Sequence, residues 1–130
     1  MSGQVIWITG LSGAGKTTLA RELILRLQKK QFSPILLDGD LLRNILVSDN
    51  LEQQSYSRNS RINLGLRYGL LCQALSAQGL VVVVATISMF SEIFSWNREN
   101  IKNCEFHLHC LFFVKIQNNI GKLVTSFVPE

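Results

Sequence analysis

With 130 residues, 47% apolar and 17% charged, the sequence has the composition of one ordinary globular domain and excludes a disordered chain. Its longest apolar run, residues 80–85, is far too short to cross a bilayer, and no basic segment followed by an apolar stretch opens the chain. A cytoplasmic protein without a membrane contact is therefore expected. Thirteen basic against nine acidic residues leave a net charge of +4. Without lysine blocks or interleaved aromatic and basic residues, that excess points to a small anionic ligand rather than to nucleic acid.

The segment VIWIT (residues 5–9) is β-branched and aromatic, ends at Gly10, and reads as a buried strand. Over residues 17–30, Leu19, Leu23, Ile24 and Leu27 recur at helical spacing and predict an amphipathic helix. Pro34 marks a turn. Residues 35–37 begin a second strand, closed by Asp38-Gly39-Asp40, a combination that equally suits a turn. Residues 41–47 read as a short helix and 48–60 as a polar loop. A helix is expected over 61–78, stopped by Gly79. LVVVVA (residues 80–85) has the continuous apolar character of a strand buried on both faces of a parallel sheet. A helix over 92–102 and a strand over 106–116 complete the reading. The alternation, without repeats or an internal linker, gives one α/β domain over residues 1–130 with a mostly parallel sheet.

Cys72, Cys104 and Cys110 are odd in number and lack metal-site spacing, so reduced thiols are expected. In CEFHLHC (residues 104–110) strand alternation places the cysteines on one face and His107 and His109 on the other, which argues against zinc.

Gly10-Leu11-Ser12-Gly13-Ala14-Gly15-Lys16-Thr17 matches G-x-x-x-x-G-K-[ST] in full, between a predicted strand and a predicted helix. Chance would produce such an octet in roughly one chain in 200 of this length, so motif and context together indicate a nucleoside-triphosphate site. Glycines let successive backbone N–H groups face one anion, and the helix N-terminus adds partial positive charge. Lys16 can reach the β- and γ-phosphates, Thr17 can place its hydroxyl on Mg²⁺, and Thr18 can assist the phosphates.

LLDGDLLR (residues 36–43) then puts two carboxylates and an arginine at the carboxyl end of the second strand, where a doubly wound sheet opens into its ligand crevice. One of Asp38 and Asp40 could serve the metal while the other orients an acceptor hydroxyl, the arrangement that phosphoryl transfer requires.

GLSGAGKTTLA followed by LLDGDLLR resembles the adenylyl-sulfate kinase family, whose motifs have the forms G-L-S-G-[AS]-G-K-[ST]-T and L-D-G-D-x-x-R. Arg61, Arg67 and GLVVVVATIS (residues 79–88) are similar to its arginine-bearing helix, apolar strand and I-S-P loop. The resemblance covers roughly the first hundred residues. It implies a P-loop three-layer sandwich and ATP-dependent phosphorylation, with Mg²⁺, of the 3′-hydroxyl of adenylyl sulfate in sulfate activation. It further implies phosphate binding by Gly10, Ser12, Gly13, Ala14, Gly15, Lys16, Thr17 and Thr18, and Asp40 as the base. Asp38 would lie with Thr17 at the metal, and Arg43, Arg61, Arg67 and Ser88 would meet the anionic acceptor. A homodimer is left open.

The chain also departs from the family. D-R-x-x-N-x-x-R becomes Ser60-Arg61-Ile62-Asn63-Leu64-Gly65-Leu66-Arg67, which keeps both arginines but moves or loses the asparagine, and I-S-P becomes Ile87-Ser88-Met89. Those positions face the acceptor, so a related kinase of another nucleotide-linked acceptor, such as cytidine diphosphoramidate in capsule pathways, is the alternative. From Ile101 onward no D-x-K-G-L-Y lid motif occurs; a truncation or shifted frame near Lys102 would give such a tail and an incomplete sheet. A nucleotide-binding module with impaired catalysis is the second rival. A hydrolase or switch GTPase is the third, and the missing guanine-reading N-K-x-D counts against it.

Overall fold

A computed structural model describes residues 3–10, 15–46, 57–87 and 90–101, together with the backbone of 104–108. The apolar run around Trp7 forms strand β1 (Gln4–Thr9), buried everywhere beyond Gln4. Beside it lies β3 (Val81–Thr86), parallel and in register, with Ile6 opposite Val83 and Trp7 opposite Val84. β2 (Ile35–Asp38) pairs with the far side of β3, and β4 (Cys104–Leu108) with the far side of β1. The order is β2-β3-β1-β4, and every described pair is parallel.

Successive side chains of a strand point to opposite faces, and here both faces are covered. Ile6, Ile8, Val83 and Ala85 pack against Leu19, Ala20, Leu23 and Leu27 of α1 (Lys16–Lys29). Val5, Trp7, Val82 and Val84 face the opposite layer, built from α2 (Gly39–Leu46), α3 (Arg58–Ser76) and α4 (Ser91–Asn100), where Leu42, Tyr68, Cys72 and Ile93 join the same cluster. Three layers result, and two-sided burial explains why β1 and β3 read as unbroken apolar runs.

The boundaries of α1 and α4 fall within two residues of the expectation, and α2, α3 and β4 start two or three residues before it. α2 begins at Gly39 rather than at residue 41, because the Asp38 carboxylate accepts the Asp40 N–H and starts the helix directly off the strand. α3 begins at Arg58 inside the segment expected as loop; Ser57 caps it by accepting the Ser60 N–H at 3.1 Å. It ends at Ser76, and Gly79 takes a φ of 88° in the turn that follows. β4 begins two residues before the expected strand, and the rest of that prediction, residues 109–116, lies outside the described residues.

The carboxyl end of α3 meets the amino end of β1, where Gly3 N–H donates to the Ser76 carbonyl at 2.8 Å. The helix therefore runs back along the sheet, with its N-terminal turn at the carboxyl edge of the strands. Among the described residues, no helix is long and apolar enough to cross a membrane.

Candidate active site

Parallel pairing gathers the carboxyl ends of the strands on one edge, with Thr9 opposite Thr86 and Asp38 opposite Ala85. Such an edge is where ligands bind in open α/β sheets. Gly10 leaves β1 buried, and Gly15 enters α1 in the left-handed conformation, φ 86° and ψ 20°. Without a Cβ it can make that turn at little cost. The first N–H groups of α1 thereby face the phosphate-loop side of the edge. Ser12, Gly13 and Ala14 lie outside the described residues.

Lys16 opens α1, half-buried. Burial holds its ammonium below the usual lysine pKa, opposed by the charges of Asp40 and then Asp38. Both carboxylates therefore lie within electrostatic reach of the lysine. Thr17 Oγ1 donates to Asp38 Oδ2 at 3.5 Å, while Asp38 Oδ1 accepts the Asp40 N–H at 3.0 Å. One carboxylate thus ties the start of α1 to the start of α2. Thr18 is exposed, as is Asp40.

Gly39 lets α2 start so close to the sheet. A Cβ on it would stand 2.9 Å from the Ala85 carbonyl oxygen and 3.2 Å from Thr86 Cα. Arg43, three residues beyond Asp40, is half-buried on α2. Arg61 is exposed in the first turn of α3, at the same edge. Arg67 is also exposed, but six helical residues set it about 9 Å further along and about 120° round. The structure keeps Arg61 at the edge and does not bring Arg67 beside it. Ser88 lies outside the described residues.

Two contacts at this edge escape the sequence reading. Tyr68, almost wholly buried, donates its hydroxyl proton to the Gly39 carbonyl at 3.3 Å. Burial pushes its pKa up to about 12, with Arg43 lowering and Asp40 raising it. A signal for it existed: Tyr68 falls seven residues after Arg61, on the apolar stripe that continues to Cys72. Arg58 Nη2 meets Glu92 Oε1 at 2.8 Å, and its guanidinium lies 5.5 Å from the Phe90 ring centroid, joining the starts of α3 and α4. Those partners are 34 residues apart, and no local pattern announces them.

Among the described residues no group of three or more His, Cys, Asp or Glu could hold a metal ion. The hydroxyl of Thr17 beside the carboxylate of Asp38 is instead a pair of hard oxygen donors. That pair suits Mg²⁺, which commonly takes one or two protein oxygens and completes its shell with phosphate and water.

A phosphate-loop sequence between the central β1 and α1, with a carboxylate pair where β2 ends at the same edge, beyond β3, defines a P-loop α/β fold of the phosphotransferase type. The family model for adenylylsulphate kinase matches residues 2–122, past the point near Asn100 where the motifs give out. Cytidine diphosphoramidate kinase of Campylobacter jejuni is 40% identical over 123 residues, covering 94% of this chain and 69% of that relative. Adenylyl-sulfate kinase of Chloroflexus aurantiacus is 44% identical over 91 residues, covering 70% of this chain and 47% of the relative, so the chain spans about half the length of that enzyme. The solved Mycobacterium tuberculosis APS kinase in complex with AMPPNP and APS superimposes with a TM-score of 0.72 at 24% identity, over 98% of this chain and 73% of that one. That last likeness is one of fold. The chain belongs to the adenylylsulphate kinase family.

Proposed function

We propose that the protein is an ATP-dependent kinase that phosphorylates a hydroxyl of a nucleotide-linked acceptor. The observation that carries this reading is the meeting of Lys16, Thr17, Asp38 and Asp40 at one edge of the sheet. The phosphate loop, Gly10 through Thr18, and the α1 N-terminus would hold the phosphate chain, with the Lys16 charge at the β- and γ-phosphates. Thr17 and Asp38 would hold Mg²⁺, which when bound neutralises charge on those phosphates. Asp40, exposed beside them, would accept the proton of the acceptor hydroxyl. That oxygen bonds to the γ-phosphorus, the bond from the γ-phosphorus to the bridging oxygen breaks, and ADP leaves. Arg43 and Arg61 supply cations for the acceptor's anionic group, and Ser88 is a further candidate for that surface, whereas Arg67 is set apart from it.

The family match and LLDGDLLR support adenylyl sulfate as acceptor, phosphorylated at its 3′-hydroxyl. Cytidine diphosphoramidate is the second reading, favoured by a relative that covers 94% of the chain and by the altered acceptor helix around Leu64. The test is ADP release from ATP with Mg²⁺, alone and with each acceptor, with the phosphorylated product identified by mass. Acceptor-dependent ADP release supports the kinase reading, and the better acceptor names the substrate. ADP release that neither acceptor changes would sink both assignments.

A further inference from the structure

We propose that Tyr68 is a positioning residue for phosphoryl transfer, its hydroxyl fixing the Gly39 carbonyl so that α2 presents Asp40 and Arg43 at a set angle to the acceptor. The inference rests on the kinase reading of the site and adds to it a residue on a different helix. The ring of Tyr68 is anchored in the cluster of Trp7, Leu42, Val82 and Val84, and the residue is 3% exposed. Phenylalanine would fill that space without burying a polar group, so the use of tyrosine lies in what the hydroxyl touches. It touches the one residue between the two candidate carboxylates.

Gly39 is held from two directions. β3 closes one side, where even a methyl group would collide with the Ala85 carbonyl and Thr86, and Tyr68 holds the carbonyl from α3. The next peptide is held by Asp38, which accepts the Asp40 N–H. Asp40 itself is exposed, so the position of its carboxylate depends on how firmly its backbone is held. Arg43 follows one turn later on the same short helix, and Arg43 and Asp40 are the charged groups whose fields reach the Tyr68 hydroxyl. A misplacement of about 1 Å in such a group can cost on the order of a hundredfold in rate.

The test uses Tyr68→Phe, Asp40→Asn and the double variant, assayed with ATP, Mg²⁺ and the better of adenylyl sulfate and cytidine diphosphoramidate. Tyr68→Phe is expected to lower kcat about tenfold with less than about twofold change in the KM for ATP, and to raise the share of ATP lost to water. In the Asp40→Asn background the same change should cost less than about twofold, because two residues acting through one group are not additive. Cys72→Ala, one turn further along the buried stripe, loosens α3 without touching Gly39; it should lower stability while kcat holds. A Tyr68→Phe enzyme with wild-type kcat, penalties that multiply in the double variant, or an equal fall of kcat in Cys72→Ala would each overturn the positioning role. An Asp40→Asn enzyme with wild-type kcat would instead overturn the reading of the site.

Discussion

Asp38 and Lys16 show how much of the chemistry rests on single side chains. Asp38 uses one oxygen to start α2 and turns the other toward the Thr17 hydroxyl, so it connects a structural cap to the metal-binding candidate pair. Lys16 sits partly buried with Asp40 and Asp38 in its field, a charge placed where an anionic phosphate chain would raise its pKa back. Lys16→Ala should therefore abolish ATP turnover while leaving the fold intact, as read by ADP release alongside a melting curve. Wild-type turnover in that variant would remove the kinase reading. Tyr68 gives a pH prediction of opposite character. Its folded-state pKa, about 12, lies above the ordinary 10.0, so its contribution to stability is complete below pH 10.0 and lost as pH rises toward 12. Between about pH 9 and about pH 11, wild type should lose more urea resistance than Tyr68→Phe, which has no phenol at this buried position to ionise. Equal losses would mean that the hydroxyl ionises as readily in the folded chain as in the unfolded one.

At the level of elements, what could be read in advance was what local pattern controls. β1 and β3 are unbroken apolar runs because both faces of the sheet are covered, and α1 shows the Leu19, Leu23, Leu27 stripe that the sheet buries. The phosphate loop is legible as a motif because all its groups come from one octet, of which residues 11–14 lie outside the described residues. The start of α2 was not, because Asp-Gly-Asp serves a turn and a helix cap with the same chemistry; contact with β3 decided between them. Tyr68 to Gly39 and Arg58 to Glu92 depend on packing between helices distant in sequence. The packing of α3 on α4 makes its own prediction. A Cβ on Gly69 would collide with Asn97 Oδ1 and come within 2.9 Å of the Trp96 ring. Alanine there gains about 1 kcal/mol in helix propensity, but overpacking costs about 1–3 kcal/mol. Gly69→Ala should therefore lower the denaturation midpoint; a rise would show that α4 can shift aside freely.

Across the whole molecule, the candidate site is the seam where two layers end on one sheet. α1, on one face, brings Lys16 and Thr17; α2 and α3, on the other, bring Asp40, Arg43 and Arg61. Only the folded chain holds both sets at the same edge, so a nucleotide should bind the folded state and hardly the unfolded one. A non-hydrolysable ATP analogue with Mg²⁺ at a hundred times its Kd should then raise the unfolding free energy by about 2.7 kcal/mol. Lys16→Ala at the same analogue concentration should gain far less. Leu23→Ala separates this effect from general packing. Leu23 is fully buried between α1 and the sheet, far along the helix from Lys16, so its truncation should cost about 2–5 kcal/mol. Provided the edge is undisturbed, the truncated protein should still gain the same increment from the analogue, because distant sites add. Urea titrations of the three proteins with and without analogue measure all of these quantities. If wild type gains nothing, the edge does not bind a nucleotide. If Leu23→Ala loses the gain entirely, packing beneath α1 governs the phosphate site as much as Lys16 does.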